Sequence, residues 1–213
     1  MSQIERGIRS LLENAFLYNL FQWSVGATRA RKNLIRDFAK PEAGMRILDI
    51  GCGPGTIIQY LPPSVHYVGL DSNRKYIDFA TQKFGKGFTF LCENANRIEI
   101  LRELPKFDLI LALGLIHHLD DEESSKLFHF ASQAVSHPGR LITLDGCYVE
   151  NQSKISRYLL DRDRGQNIRT ESAYKSLAKT HFQEVKTTLS NNMLRIPYDL
   201  LIMECFKSEK TGS

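Results

Sequence analysis

A chain of 213 residues, 42% hydrophobic and 24% charged, has the length and balance of one globular domain with a substantial core. Its formal net charge of +4 permits an anionic substrate but makes no case for a nucleic-acid footprint, which shows as a clustered basic stripe. No run reaches membrane-spanning length, the first residues lack a signal-peptide profile, and Cys52, Cys92, Cys147 and Cys205 have no C-x-x-C spacing; a cytosolic protein with reduced, packed cysteines and no metal is expected.

Ile8 to Lys40 mixes polar and apolar residues at helical spacing, with Leu11, Leu12, Ala15, Phe16, Tyr18, Leu20 and Phe21 crowded together. Gly26 is expected to divide this stretch into two helices and Pro41 to end the second. Strand signals follow at Arg46–Ile50, His66–Leu70, Phe88–Cys92, Phe107–Leu113 and Arg140–Asp145. Helix-like pieces lie between them, at Thr56–Leu61, Arg74–Phe84, Asn96–Arg102 and Asp121–Ser136. Asp120 and Asp121 read as caps of the last of these, with Glu122 and Glu123 favoured in its first turn. The alternation predicts βαβ units, right-handed crossovers and a parallel sheet. Beyond it, Glu150 to Thr170 is charged, Ser172–Thr180 reads as a helix, and Val185–Leu189 and Leu200–Phe206 read as strands. The tail from Ser208 to Ser213 reads as disordered.

The most informative stretch is Ile47-Leu48-Asp49-Ile50-Gly51-Cys52-Gly53-Pro54-Gly55-Thr56. An apolar strand enters a loop with glycine at every second position, which bares the backbone to a ligand beyond the strand end. Twenty residues after Gly51, Tyr67-Val68-Gly69-Leu70-Asp71 ends another strand in a carboxylate suited to ribose hydroxyls. The G-x-G-x-x-G order of dinucleotide folds is absent, and the leading Asp49 would repel a pyrophosphate while suiting a ligand with positive charge. No Gly-Lys-Ser/Thr follows, which excludes a P-loop.

Asp49 to Gly55 resembles the first motif of the class I S-adenosylmethionine-dependent methyltransferases, and Gly69-Leu70-Asp71 resembles their second. Phe107 to Leu119, with its His117-His118 pair, is similar to the family's fourth strand and following loop, and His137-Pro138-Gly139 through Asp145 to its fifth. The resemblance covers about Glu42 to Gly146. It implies a doubly wound, mostly parallel seven-stranded sheet with an antiparallel final strand, helices on both faces and an N-terminal helical cap. The whole chain is then one domain: cap 1–40, cofactor-binding core 41–147, substrate-covering insertion 148–171, closing helix and strands 172–207, and tail 208–213. Asp163-Arg164-Gly165 and Arg195-Ile196-Pro197-Tyr198 look like signatures of a bacterial subgroup.

The resemblance also assigns contacts. Asp49 would approach the methionine end of S-adenosylmethionine, Gly51 and Gly53 its methionine and ribose portions, and Asp71 both ribose hydroxyls, with S-adenosylhomocysteine as product. Cys52, Gly55, Ser72, Ala95 and Leu113 complete the expected cofactor wall. Asp71 could instead cap the next helix. Where relatives carry an acid for the adenine amino group, Asn94 stands here, favoured over Glu93 because its side-chain carbonyl can accept the same bond. His118 and His117 have three readings: a general base, a wall of the cofactor pocket, or structural histidines bonded to backbone.

The acceptor side is expected from Tyr18 and Gln22, with Phe21 and Trp23 as a lid, and from Tyr148, Arg157, Arg164 and Arg169. The arginines could grip a phosphate or carboxylate, or form an exposed face with Asp161 and Asp163. The combined expectation is methyl transfer to a small polar acceptor, most readily a hydroxyl on a sugar, a nucleotide-linked sugar or a secondary metabolite, by a monomer or homodimer. Alternatives are RNA or protein methylation, for which Arg29, Arg31, Lys32 and Arg36 would supply a basic face, and a non-catalytic cofactor-binding protein.

Overall fold

The computed structural model describes residues 26–95 and 104–207. The expected lid residues Tyr18, Phe21, Gln22 and Trp23, the helix at 96–102 and the tail fall outside them. Strands β1 (Arg46–Ile50), β2 (His66–Asp71), β3 (Thr89–Cys92), β4 (Phe107–Leu113), β5 (Val135–Tyr148), β7 (Glu184–Ser190) and β8 (Leu200–Phe206) form a sheet in the order β3-β2-β1-β4-β5-β8-β7. The first five pair in parallel, and β8 runs antiparallel to both β5 and β7. This is the Rossmann-like arrangement that the alternating pattern predicts. A two-residue strand, β6 (Arg169–Thr170), pairs with the far end of β5.

The central strands are apolar on both faces because both are covered. Leu48, Ile50, Leu70, Ile110 and Leu141 point to one side, where they meet Leu127, Phe128 and Ala131 of α3 (Asp121–Ala134) and Tyr174 and Ala178 of α5 (Glu171–Lys179). Ile47, Tyr67, Leu109, Leu111 and Ile142 point to the other, against Ala30 and Leu34 of α1 (Ala27–Leu34) and Ile77 of α2 (Arg74–Phe84). Phe128 is fully buried; its truncation to alanine would cost roughly 3–5 kcal/mol. Helix α3 starts in a capping box, with Asp120 accepting from the Glu123 amide and Glu123 accepting in return from that of Asp120.

Several boundaries differ from the sequence-based expectation. Thr56–Leu61 forms only one 3-10 turn at Ile58–Tyr60, since the segment is confined between left-handed Gly55 and the Pro62-Pro63 pair. α1 passes into a π turn at Ile35–Ala39, and left-handed Lys40 ends it one residue before Pro41. α3 ends two residues early, because Val135 already pairs with Phe107; the regular ladder with β4 then resumes at Arg140. A helix inside the insertion, α4 (Lys154–Asp161), starts at a Ser153 cap. No helix among the described residues is long and apolar enough to cross a membrane.

Candidate functional site

The carboxyl ends of β1, β2, β3, β4 and β5 lie along one edge of the sheet, where α/β folds of this kind hold ligands. After β1 the chain adopts positive φ at Gly51 (77°), Gly53 (54°) and Gly55 (70°). A Cβ on Gly53 would meet no atom of the described residues within 4 Å, so one side of this loop is open among them. The loop is anchored from behind, with the Gly51 and Cys52 amides both donating to the Leu70 carbonyl at 2.7 and 3.0 Å. Cys52 is buried against Gly69, and burial first, with nearby Asp49 and Asp71, holds its thiol protonated.

Asp71 fastens the first two motifs together. Its Oδ2 accepts from the Gly53 amide at 2.9 Å and its Oδ1 from the Asn73 amide at 2.8 Å. Burial raises its pKa despite these two bonds. The cap of α2 is Asn73, which accepts from the Lys75 amide, so Asp71 is not committed to that role; Ser72 is exposed between them. Each Asp71 oxygen keeps a lone pair for a ligand hydroxyl. Asp49 is buried, with Tyr67 donating to its Oδ2 at 2.7 Å. Burial pushes its pKa up to about 7, against the pull of that hydrogen bond. Asn94 and Ala95 follow β3 beside this loop, where the Glu93 amide donates to the Asp71 carbonyl at 3.1 Å. Half-buried Leu113 closes β4 before left-handed Gly114.

The glycine cradle, the ribose-sized carboxylate and the buried Asp49 suit S-adenosylmethionine. The open side of Gly53 admits a ligand against backbone, Asp71 retains acceptor capacity, and a buried carboxylate near neutrality favours a cationic neighbour.

On the opposite side of the edge, the two histidines of the turn Ile116–His118 are in unlike surroundings. His117 is buried between two carboxylates. Its Nδ1 lies 2.8 Å from Asp145 Oδ1, and its Nε2 lies 3.4 Å from Asp163 Oδ1. Burial works against its charge, but the bonds to Asp145 and Asp163 outweigh it and raise its pKa to about 9. Asp163 in turn accepts from Tyr198 Oη at 2.8 Å and from the Gly165 amide at 2.8 Å. Burial of Asp163 is overcome by His117, and its pKa falls well below the usual carboxylate range. His118 goes the other way. Burial, and then the positive charge of His117, depress it to about 4, and its Nδ1 is buried without a partner among the described residues. The two rings sit 4.3 Å apart. His117, His118 and Asp163 are the grouping among the described residues that could hold a metal ion; in this arrangement the imidazolium of His117 itself supplies the positive charge between the two carboxylates.

The expected acceptor residues separate by commitment. Arg169 bridges the insertion to the His117 turn, reaching Asp121 at 2.7 Å and the Leu119 and Asn167 carbonyls at 2.8 and 2.9 Å. Arg157 lies 4.2 Å over the Tyr148 ring and pairs with Asp161, which also accepts from Tyr148 Oη. Arg164 makes no hydrogen bond or ion pair with any described residue. Sequence reasoning assigned no role to Asp145 or Tyr198. Asp145 closes the strand expected at Arg140–Asp145, much as Asp71 closes β2, and that position is the available signal; in the structure β5 runs on to Tyr148.

Comparison with known proteins agrees with this geometry. A family model described as a methyltransferase domain matches residues 47–139. A ubiquinone biosynthesis O-methyltransferase of Pelagibacter ubique is 34% identical over 110 residues, covering 46% of this chain and 45% of that protein. A phosphoethanolamine N-methyltransferase of Plasmodium falciparum is 28% identical over 142 residues, covering 65% and 52%. The chain thus spans about half the length of the curated relatives it matches. The fold is shared with a SAM-dependent methyltransferase from Archaeoglobus fulgidus at a TM-score of 0.69 and 20% identity, over 88% of this chain and 99% of that one. With its glycine loop and strand-end carboxylates, the chain carries a methyltransferase-domain match over residues 47–139 and shares the Rossmann-like methyltransferase fold.

Proposed function

We propose that the chain transfers a methyl group from S-adenosylmethionine to a hydroxyl of a small polar acceptor, such as a sugar, a nucleotide-linked sugar or a secondary metabolite. The observation that carries this reading is the meeting of a glycine cradle with free carboxylate capacity and a neutral imidazole, His118, on one sheet edge. When bound, S-adenosylmethionine supplies an electrophilic methyl on a sulfonium leaving group, so alignment in a dry pocket does most of the work.

The residues divide that work. Gly51, Gly53 and Gly55 let the ligand lie against main chain, and Asp71 accepts from the ribose hydroxyls. Asp49 would hold the methionine ammonium, whose positive charge would favour the ionised carboxylate. Asn94 accepts from the adenine amino group, and Cys52, Ser72, Ala95 and Leu113 form the surrounding wall. His118 is uncharged at neutral pH and takes the proton that the acceptor hydroxyl loses. His117 is already protonated and locked, so its part is to hold the turn on which His118 sits. Oxygen as the methylated atom is favoured by the match to an O-methyltransferase and by Leu113-Gly114-Leu115-Ile116, which stands where many base N-methyltransferases carry Asn/Asp-Pro-Pro-Tyr/Phe.

Calorimetry should show saturable binding of S-adenosylmethionine and S-adenosylhomocysteine, and methyl-labelled donor should label a hydroxyl acceptor in a screen. Binding of neither would sink the reading. Once an acceptor is found, His118→Ala should lower kcat while leaving S-adenosylhomocysteine affinity unchanged; equal turnover would remove His118 as the base.

A further inference from the structure

The insertion carries four arginines, and the fold gives three of them partners. Arg157 has Asp161 and the Tyr148 ring, Arg162 stacks 4.4 Å over Tyr158, and Arg169 has Asp121 and backbone carbonyls. Arg164 is half-buried and has no partner among the described residues. Its position is nonetheless fixed, because both sequence neighbours are fastened to His117. Asp163 pairs with the His117 ring and is held by Tyr198. Gly165 lies so close that a Cβ there would overlap the His117 ring, and the Asn167 amide donates to the His117 carbonyl at 2.9 Å. The backbone that carries Arg164 is therefore held next to the histidine turn, and the charge of its side chain is felt at His118. Asp163, the adjacent carboxylate, is already engaged by His117. A half-buried guanidinium with no counter-charge among the described residues is costly, and its planar fork matches carboxylate and phosphate groups.

We propose that Arg164 recognises an anionic group, a carboxylate or a phosphate, carried by the methyl acceptor close to the oxygen that is methylated. This rests on the methyl-transfer reading above and narrows its acceptor to an anion.

The test uses the full chain saturated with S-adenosylhomocysteine, titrated at constant ionic strength with inorganic phosphate and, separately, with acetate. Wild type should bind at least one of them saturably, and the anion preferred tells phosphate from carboxylate. Arg164→Gln should weaken that binding at least tenfold, Arg164→Lys should weaken it less, and Arg162→Gln, the same charge change two residues away, should leave it unaltered. Saturation by neither anion, unchanged binding in Arg164→Gln, or an equal loss in Arg162→Gln would overturn the proposal. Failure to bind S-adenosylhomocysteine at all would instead overturn the methyl-transfer reading on which it stands.

Discussion

The two halves of the strand-end edge are built by opposite means. Under β1 and β2 the surface is main chain: three left-handed glycines, paired amides and one carboxylate that ties neighbouring loops. Under β4 and β5 it is side chain: a histidine clamped between aspartates from two other segments, one of them held by a tyrosine from a third. A backbone cradle accepts the invariant parts of a ligand and tolerates little change. A side-chain clamp can be rewritten one residue at a time, which suits the half of a reaction that differs between enzymes.

Substitutions that strike one half should leave the other intact, and this separation can be broken experimentally. The largest effect is expected for Asp71→Ala. Losing a charged acceptor for two hydroxyls, at roughly 1.5–3 kcal/mol per bond, should weaken S-adenosylhomocysteine binding on the order of 100-fold or more by calorimetry. Affinity within a factor of two of wild type would remove Asp71 from the ribose site.

Gly165→Ala should do the converse. Its Cβ would overlap the His117 ring and come within 2.7 Å of the His117 carbonyl oxygen, so backbone as well as side chain must shift. Overpacking of this kind costs about 1–3 kcal/mol, read as a lower urea midpoint, while S-adenosylhomocysteine affinity stays near wild type. A joint loss of both would show the halves to be mechanically one.

His117→Gln sharpens the comparison through pH. The His117 pKa is about 9 in the fold against an ordinary 6.5, so its contribution is fully present below pH 6.5 and disappears as pH rises through 9. The stability gap between wild type and His117→Gln should therefore be widest near pH 6, on the order of 2 kcal/mol, and should narrow by pH 10. A gap independent of pH would mean that the clamp is not ionic. The smallest effect on stability belongs to Gly53→Ala, whose Cβ enters open space and pays only for left-handed backbone, roughly 1–2 kcal/mol. Cofactor affinity should nevertheless fall, since that space is where the ligand is expected.

How far each half could be read from the sequence follows from the same contrast. Glycines that need positive φ and acids that end strands act where they stand in the chain, so the cradle was visible as a local motif. The His117 clamp unites residues 28 positions apart through Asp145, and Asp163 with Tyr198 across 35, so no window of sequence contains it. Arg164 and Arg169 look alike in a charged run; only the fold shows that one grips four groups and the other none that are described. The helix-like piece expected at Thr56–Leu61 is cut to one 3-10 turn by the two prolines that follow it.

The two rungs that join β5 to β6, Cys147 to Arg169 and Tyr148 to Thr170, have an evolutionary consequence. They bring the two ends of the insertion side by side on the rigid core, so residues 149–168 form a loop whose closure is set by its base. Doubling the length of such a loop costs only about 0.6 kcal/mol in closure entropy. Length can thus be added to the insertion ahead of Asp163 at little entropic cost, while Asp163, Gly165 and Asn167 keep their hold on the His117 turn. Under the proposed function, such changes would alter the acceptor side while leaving the donor cradle untouched.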